Sequence, residues 1–199
     1  VIEPFLTGKE YCSYNICHHG NVLAHSTYSV QIAIDGHSCL QFETIEQPAI
    51  LQWITNFISK ENYTGQISFD FIETPDGQLY AIECNPRASS GVHLFKRDDN
   101  LATAFFNTTT KLITPKPGIC RQIGMGMLLY GWQPNASDNF LFFLQKFLSS
   151  SDVIFDKKDL KPFFMQPISL LYLLRLAKKL NLSLPAVFNH DLEWNGFRN

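Results

Sequence analysis

Three oxygen-bearing side chains and a guanidinium stand close together between Gly65 and Gly91, in the stretch GQISFDFIETPDGQLYAIECNPRASSG. The four residues are Asp70, Glu83, Asn85 and Arg87. Two apolar-rich runs, Ile67–Glu73 and Leu79–Cys84, flank the turn sequence Thr74-Pro75-Asp76-Gly77, so the stretch predicts a β-hairpin. With the loop centred between Asp76 and Gly77, Asp70 lies across from Glu83, and Ser68 across from Asn85. Strand alternation then gives Ile67, Phe69, Phe71, Tyr80, Ile82 and Cys84 one face, read as core, and Asp70, Glu83 and Asn85 the other. Opposed carboxylates repel and call for a cation between them. Oxygen donors suit Mg²⁺ or Mn²⁺, whose remaining positions the phosphates of a nucleotide can fill. Arg87, just past the second run, offers a planar fork for phosphate or carboxylate. A Pro-Asp-Gly turn also closes as a three-residue loop with a glycine bulge, which puts Asp70 opposite Ile82 and separates the acids. The clean sorting of apolar and polar residues favours the first register. A solvated hairpin face carrying two acids is the reading that needs no ligand.

The segment from Asp70 to Arg87 resembles the final strands of the ATP-grasp superfamily, which includes carbamoyl phosphate synthase, biotin carboxylase and D-alanine–D-alanine ligase. A metal-binding acid, a spacer ending in a hairpin, and E-x-N-P-R occur in that order. The 13-residue step from Asp70 to Glu83 looks most like D-alanine ligase, and Asn85-Pro86-Arg87 most like carbamoyl phosphate synthase. The resemblance implies a metal held by Asp70, Glu83 and Asn85, with Arg87 stabilising charge on a moving phosphoryl group. Ser89, Ser90 and Gly91 would border the transferred phosphate and the acceptor; read alone, they are a helix N-cap region.

The opening, VIEPFLTGKEYCSY, sets Glu3 and Glu10 seven residues apart around a Thr7-Gly8 turn. By itself this is a strand, a turn and a strand with two exposed acids. It is also similar to the ATP-grasp hinge. That likeness implies Glu3 near adenine, the Pro4 carbonyl and Leu6 N–H on the adenine edge, and Glu10 on the ribose. Proline at position 4 removes a donor where an acceptor is needed, and a carboxylate can accept from both ribose hydroxyls.

The elements that must position these groups are read from periodicity. Tyr11–Cys17 and Asn21–Ile34 are expected as antiparallel strands joined through His18-His19-Gly20-Asn21, with the two adjacent imidazoles on opposite faces of the strand. His25 and His37 are read as solvated turn residues. Gln47-Pro48 opens a helix to about Lys60, with Ile50, Trp53, Ile54, Phe57 and Ile58 as its core stripe. A second helix is expected over His93–Lys111 with Leu94, Leu101, Ala104 and Phe105 inward, a strand over Ile119–Tyr130, and helices over Asp138–Leu148 and Pro167–Leu182.

With 199 residues there is ample material for a core. A formal net charge of −2, with no run interleaving basic and aromatic residues, gives no case for nucleic acid. The five cysteines lack CxxC spacing and read as free thiols of a reducing compartment, so a cytoplasmic location is expected. The Pro167–Leu182 run is too short to span a bilayer and carries Arg175, Lys178 and Lys179; contact with the rest of the protein or a sister subunit in a homo-oligomer is expected, not contact with a membrane.

The resulting expectation is an α+β fold: the C-terminal lobe of an ATP-grasp domain over 1–115, an antiparallel sheet with helices on one side, and a partly helical extension over 116–199, split at the Thr114–Gly118 linker. The resemblance implies an ATP- and Mg²⁺-dependent ligase that makes an acyl phosphate from a small carboxylate or carbamate for attack by an amine. The lysine-bearing lobe of that family is not found here, so the chain is read as a fragment, inactive alone. The rival reading is a non-catalytic nucleotide-binding or assembly module built on the same lobe.

Overall fold

The computed structural model describes residues 5–34, 38–132 and 140–190. Glu3 and Pro4 lie outside the described residues, as does His37. The chain forms two compact units, Val1–Val153 and Ile154–Asn199. The Thr114–Gly118 segment runs within the first of them.

A seven-stranded mixed sheet forms the first unit, in the order β5-β4-β1-β2-β3-β6-β7. Its strands are β1 Lys9–His18, β2 Asn21–Ile34, β3 Ser38–Ile45, β4 Gly65–Glu73, β5 Leu79–Asn85, β6 Cys120–Gln122 and β7 Ser151–Asp152. Every pairing is antiparallel except β6 with β7, which is parallel and makes the sheet mixed where an antiparallel one was expected. β1 and β2 join through a two-residue turn in which His19 and Gly20 both take positive φ (43° and 78°), the backbone that matches strand twist. Because His19 belongs to the turn, the His18 and His19 rings do not diverge; their centroids lie 4.4 Å apart, edge to face.

Helix α1, Pro48–Glu61, covers one face of the sheet. Proline tolerates its first turn, and Asn62 ends it in a left-handed cap. Ile50, Ile54 and Ile58 are wholly buried against Ile67, Phe69 and Phe71. Each such isoleucine contributes about 2 kcal/mol in transfer free energy. Trp53 stacks on Phe57 at 5.4 Å and meets the edges of Phe69 and Phe71 at 5.3 Å, closing the same cluster. The amphipathic stripe therefore forms as its spacing predicts.

The other face is covered too, which corrects the expectation of helices on one side. Residues 90–106 cross it and bury Leu94, Phe95 and Ala104 against Tyr14, Ile16, Tyr28 and Phe42. This segment is not the single helix expected over His93–Lys111. It breaks into 3₁₀ turns at Ser90–Leu94 and Arg97–Asp99 and one short helix, α2, at Ala102–Phe105. Lys96 is extended, with its N–H donating to Asp99 Oδ2 at 2.6 Å, and Asn100 and Asn107 take φ of 53° and 52°, which no helix interior accepts. Phe105, expected inward, is exposed.

The expected strand over Ile119–Tyr130 keeps only its first residues as β6 and turns into α3, Gly124–Tyr130. A distant partner marks the switch: the Gly124 N–H donates to Asp152 Oδ2 at 2.7 Å, and a Cβ at position 124 would collide with that carboxylate. Helix α4, Phe140–Ser149, follows, its carbonyls of Lys146 and Phe147 accepting from the buried amides of Gln41 and Gln122. In the second unit α5 runs Lys161–Leu180 and α6 Leu184–Asn189. Helix α5 starts six residues before the proline expected to open it. Pro167 cannot donate to the Phe163 carbonyl, and the Gln166 side chain does so instead at 3.3 Å. Among the described residues no helix is long and apolar enough to cross a membrane.

Candidate functional site

The candidate site is built on the β4–β5 hairpin. Both registers read from the sequence occur in it. Next to the turn, Glu73 pairs with Leu79, Ile72 with Tyr80 and Phe71 with Ala81. This is the ladder of the three-residue loop: Thr74 and Gln78 close it at 2.9 Å, and Gly77 takes φ of 81°. Ile82 is then left without an opposite number. Beyond that bulge Asp70 pairs with Glu83, Phe69 with Cys84 and Ser68 with Asn85, as the first register predicts.

The bulge also corrects the faces. Tyr80 stands opposite Ile72, and so on the side of Asp70, while Ala81 takes the side of Phe71. As the edge strand, β5 carries no helix: Tyr80, Ile82 and Cys84 are exposed where core was expected. Ile67, Phe69, Phe71 and Ile72 are the hairpin's contribution to the core.

Pairings across β5, β4, β1 and β2 line up two rows on one face. Glu83, Asp70, Cys12 and Tyr28 form the first row, and Asn85, Ser68, Tyr14 and Ser26 the second. Glu10 pairs with Ile72, which places it on this same face, exposed, one step nearer the hairpin's turn. Leu6 lies ahead of β1 and is half-buried. The structure therefore gathers Glu10, Asp70, Glu83 and Asn85 on one side of one sheet. Arg87 follows at its margin, exposed, its N–H bonded to the Asn85 carbonyl at 2.8 Å and its Nη1 to the Ala88 carbonyl at 3.2 Å.

Asp70 is half-buried, and burial raises its pKa above the ordinary carboxylate value. Glu83 raises it further, while the Cys12 thiol and Arg87 oppose the shift. The Cys12 thiol is itself pushed up, first by burial and then by Asp70, so it sits in the row as a neutral donor rather than a nucleophile. An acid that burial and a second acid both hold against ionisation is a place where a cation gains most. Among the described residues no group of three or more His, Cys, Asp or Glu side chains could hold a metal ion. The set offered here is two carboxylates and the Asn85 amide, all hard oxygens, which fits Mg²⁺ completed by phosphate or water.

Sequence reasoning placed Ser68 across from Asn85 but missed Cys12, Tyr28 and Ser26 as neighbours of these groups. Only the pairing of β1 with β4, more than fifty residues apart, brings them together. It also misread His25, which is 6% exposed in β2, its Nδ1–H donating to Asn15 Oδ1 at 2.8 Å and its Nε2 accepting from Thr27 Oγ1 at 2.9 Å. The five cysteines are free, as their spacing suggested.

The fold is α+β, and the candidate site is a two-carboxylate oxygen face with a guanidinium at the margin. No family profile matches the chain, and no curated protein matches it. Solved structures of ATP-grasp enzymes are similar to it. N5-carboxyaminoimidazole synthetase from Staphylococcus aureus, complexed with ADP, is similar over 58% of this chain and 34% of its own, at 16% identity and a TM-score of 0.42. For the L-amino acid ligase from Bacillus licheniformis the shares are 44% and 24%, at 20% identity and 0.35. For the biotin carboxylase domain of a thermophilic 2-oxoglutarate carboxylase, bound to bicarbonate, they are 43% and 21%, at 19% identity and 0.35. The chain spans between a fifth and about a third of the length of these structures. The likenesses are partial, and the functional reading rests on the hairpin's own residues.

Proposed function

We propose that this chain is part of an ATP- and Mg²⁺-dependent ligase of the ATP-grasp type, with 1–115 as the C-terminal lobe of the nucleotide site and 116–199 as an extension. Its reaction is phosphorylation of a small carboxylate or carbamate, followed by attack of an amine on the acyl phosphate. The observation that carries this reading is the pairing of Asp70 with Glu83 in a hairpin that continues into Asn85-Pro86-Arg87. Asp70, Glu83 and Asn85 hold the metal, which neutralises triphosphate charge when bound. Arg87 presents an always-charged fork to the phosphoryl group in transit. Glu10 accepts from the ribose hydroxyls, and Glu3, Pro4 and Leu6 serve adenine.

In the intact protein, Glu83→Ala removes one of the two carboxylates and lowers Mg²⁺-dependent ADP release. Release as fast as wild type refutes the assignment.

A further inference from the structure

We propose that Ser68, Tyr28 and Ser26 are positioning residues for Arg87, their hydroxyls holding the Arg87–Gly91 segment onto the face that carries Asp70 and Glu83. Ser68 Oγ donates to the Arg87 carbonyl at 3.1 Å, Tyr28 Oη to Ser89 Oγ at 3.3 Å, and Ser26 Oγ to the Gly91 carbonyl at 3.3 Å. The three contacts fall on alternate residues of the segment. All three donors are buried, at 3%, 3% and 1% exposure. Two of them flank Tyr14 in the row that begins at Asn85, and the third ends the row that begins at Glu83.

Gly91 lets the segment come this close. A Cβ there would stand 2.6 Å from Tyr14 Cβ, 2.8 Å from Tyr28 Cε1 and 2.9 Å from Ser26 Oγ. The Arg87 side chain is itself exposed and, among the described residues, its hydrogen bond goes to its neighbour's carbonyl, so its aim is set largely by its backbone. That backbone is irregular from Pro86 to Ser89 and has no ladder to hold it. Buried hydroxyls from the sheet supply the anchorage, and misplacing a reacting group by about 1 Å can cost on the order of 100-fold in rate.

The catalytic consequence rests on the ligase reading; the anchorage does not, and the test separates them. In residues 1–199, Ser68→Ala speeds exchange of the Arg87 and Val92 amides, which donate to the Asn85 and Ser89 carbonyls, about tenfold, and Ser68→Thr, which keeps the hydroxyl, restores protection. In the intact protein, Ser68→Ala lowers ADP release at saturating ATP about tenfold while the KM for ATP stays within about twofold, and Ser68→Thr recovers the rate. Tyr28→Phe, which keeps the core ring, repeats both effects if Ser68→Ala fails to fold. Exchange at Arg87 and Val92 that is unchanged in both variants overturns the proposal, whatever the rates do. So does loosened exchange with wild-type turnover, since the segment's placement then does not matter to Arg87. Loosened exchange in a protein whose wild type releases no ADP from ATP supports the anchorage and refutes the ligase reading.

Discussion

Asp70 faces Glu83 across the β4–β5 ladder because Ile82 is passed over by its partner strand. Nearer the turn the ladder runs one residue out of that register, as Pro75-Asp76-Gly77 dictates. A bulge on an edge strand is a low-cost place for such a correction, since only one neighbour must adjust. It also re-aims the side chains that follow, turning Glu83 rather than Ile82 toward Asp70.

That relationship predicts a metal effect separable from turnover. Removing water and adding Glu83 both disfavour ionised Asp70, and a divalent cation relieves both. Mg²⁺ at about ten times its Kd should raise the melting temperature by about 4 °C, and Glu83→Ala should abolish the shift. Calorimetric scans with and without Mg²⁺ check this; the same shift in the variant would count against the site.

His25 predicts an acid-side loss of stability. Burial lowers its pKa to about 4 from an ordinary 6.5. The unfolded chain therefore binds a proton more readily than the folded one between those values. The contribution is complete above about pH 6.5 and lost progressively as pH falls toward about 4, amounting to about 3 kcal/mol. Denaturant unfolding from pH 7 to 4 should show the slope, and His25→Gln, which cannot be protonated, should flatten it.

Ile54 is wholly buried at the middle of the α1 stripe. Ile54→Ala should cost about 2–5 kcal/mol, through lost transfer energy and a cavity against Phe69 and Phe71. A fall in the urea midpoint at unchanged slope is the expected result. Gln52→Ala, on the exposed side of the same helix, should shift the midpoint by less than about 0.5 kcal/mol.

In the second unit, α5 covers a stripe containing Phe163, Leu170, Leu173, Ala177 and Leu180 and leaves Ile168, Leu171, Tyr172 and Leu174 exposed. Leu173→Lys puts a charge on the covered stripe and should cause aggregation or loss of helix, read by light scattering and circular dichroism. Sedimentation with anionic vesicles should be the same with and without the substitution. Vesicle binding that disappears in Leu173→Lys would make α5 a membrane element instead.

What the residues determine by themselves is what depends on near neighbours. The α1 stripe recurs every three to four residues, and the His19-Gly20 and Pro75-Asp76-Gly77 turns are written in two or three adjacent positions, so each is legible without its surroundings. The order of the acids around the hairpin is legible for the same reason. The remainder depends on partners far along the chain. His25 is buried because Asn15 and Thr27 satisfy its ring between a sheet and its cover, which no local pattern announces. β5 has an exposed face because it is an edge, and its alternation cannot say so. The apolar run after Ile119 becomes helix α3 because Asp152, about thirty residues on, caps Gly124. Residues 93–111 read as one helix by hydrophobic content, yet the sheet face they cover and two left-handed asparagines divide them. The rows that set Cys12, Tyr28 and Ser26 on the face of Asp70 and Asn85 exist only once β1 lies between β2 and β4. Strand pairing is a long-range choice, made by burying both faces of the sheet at once, and tertiary structure alone decides it.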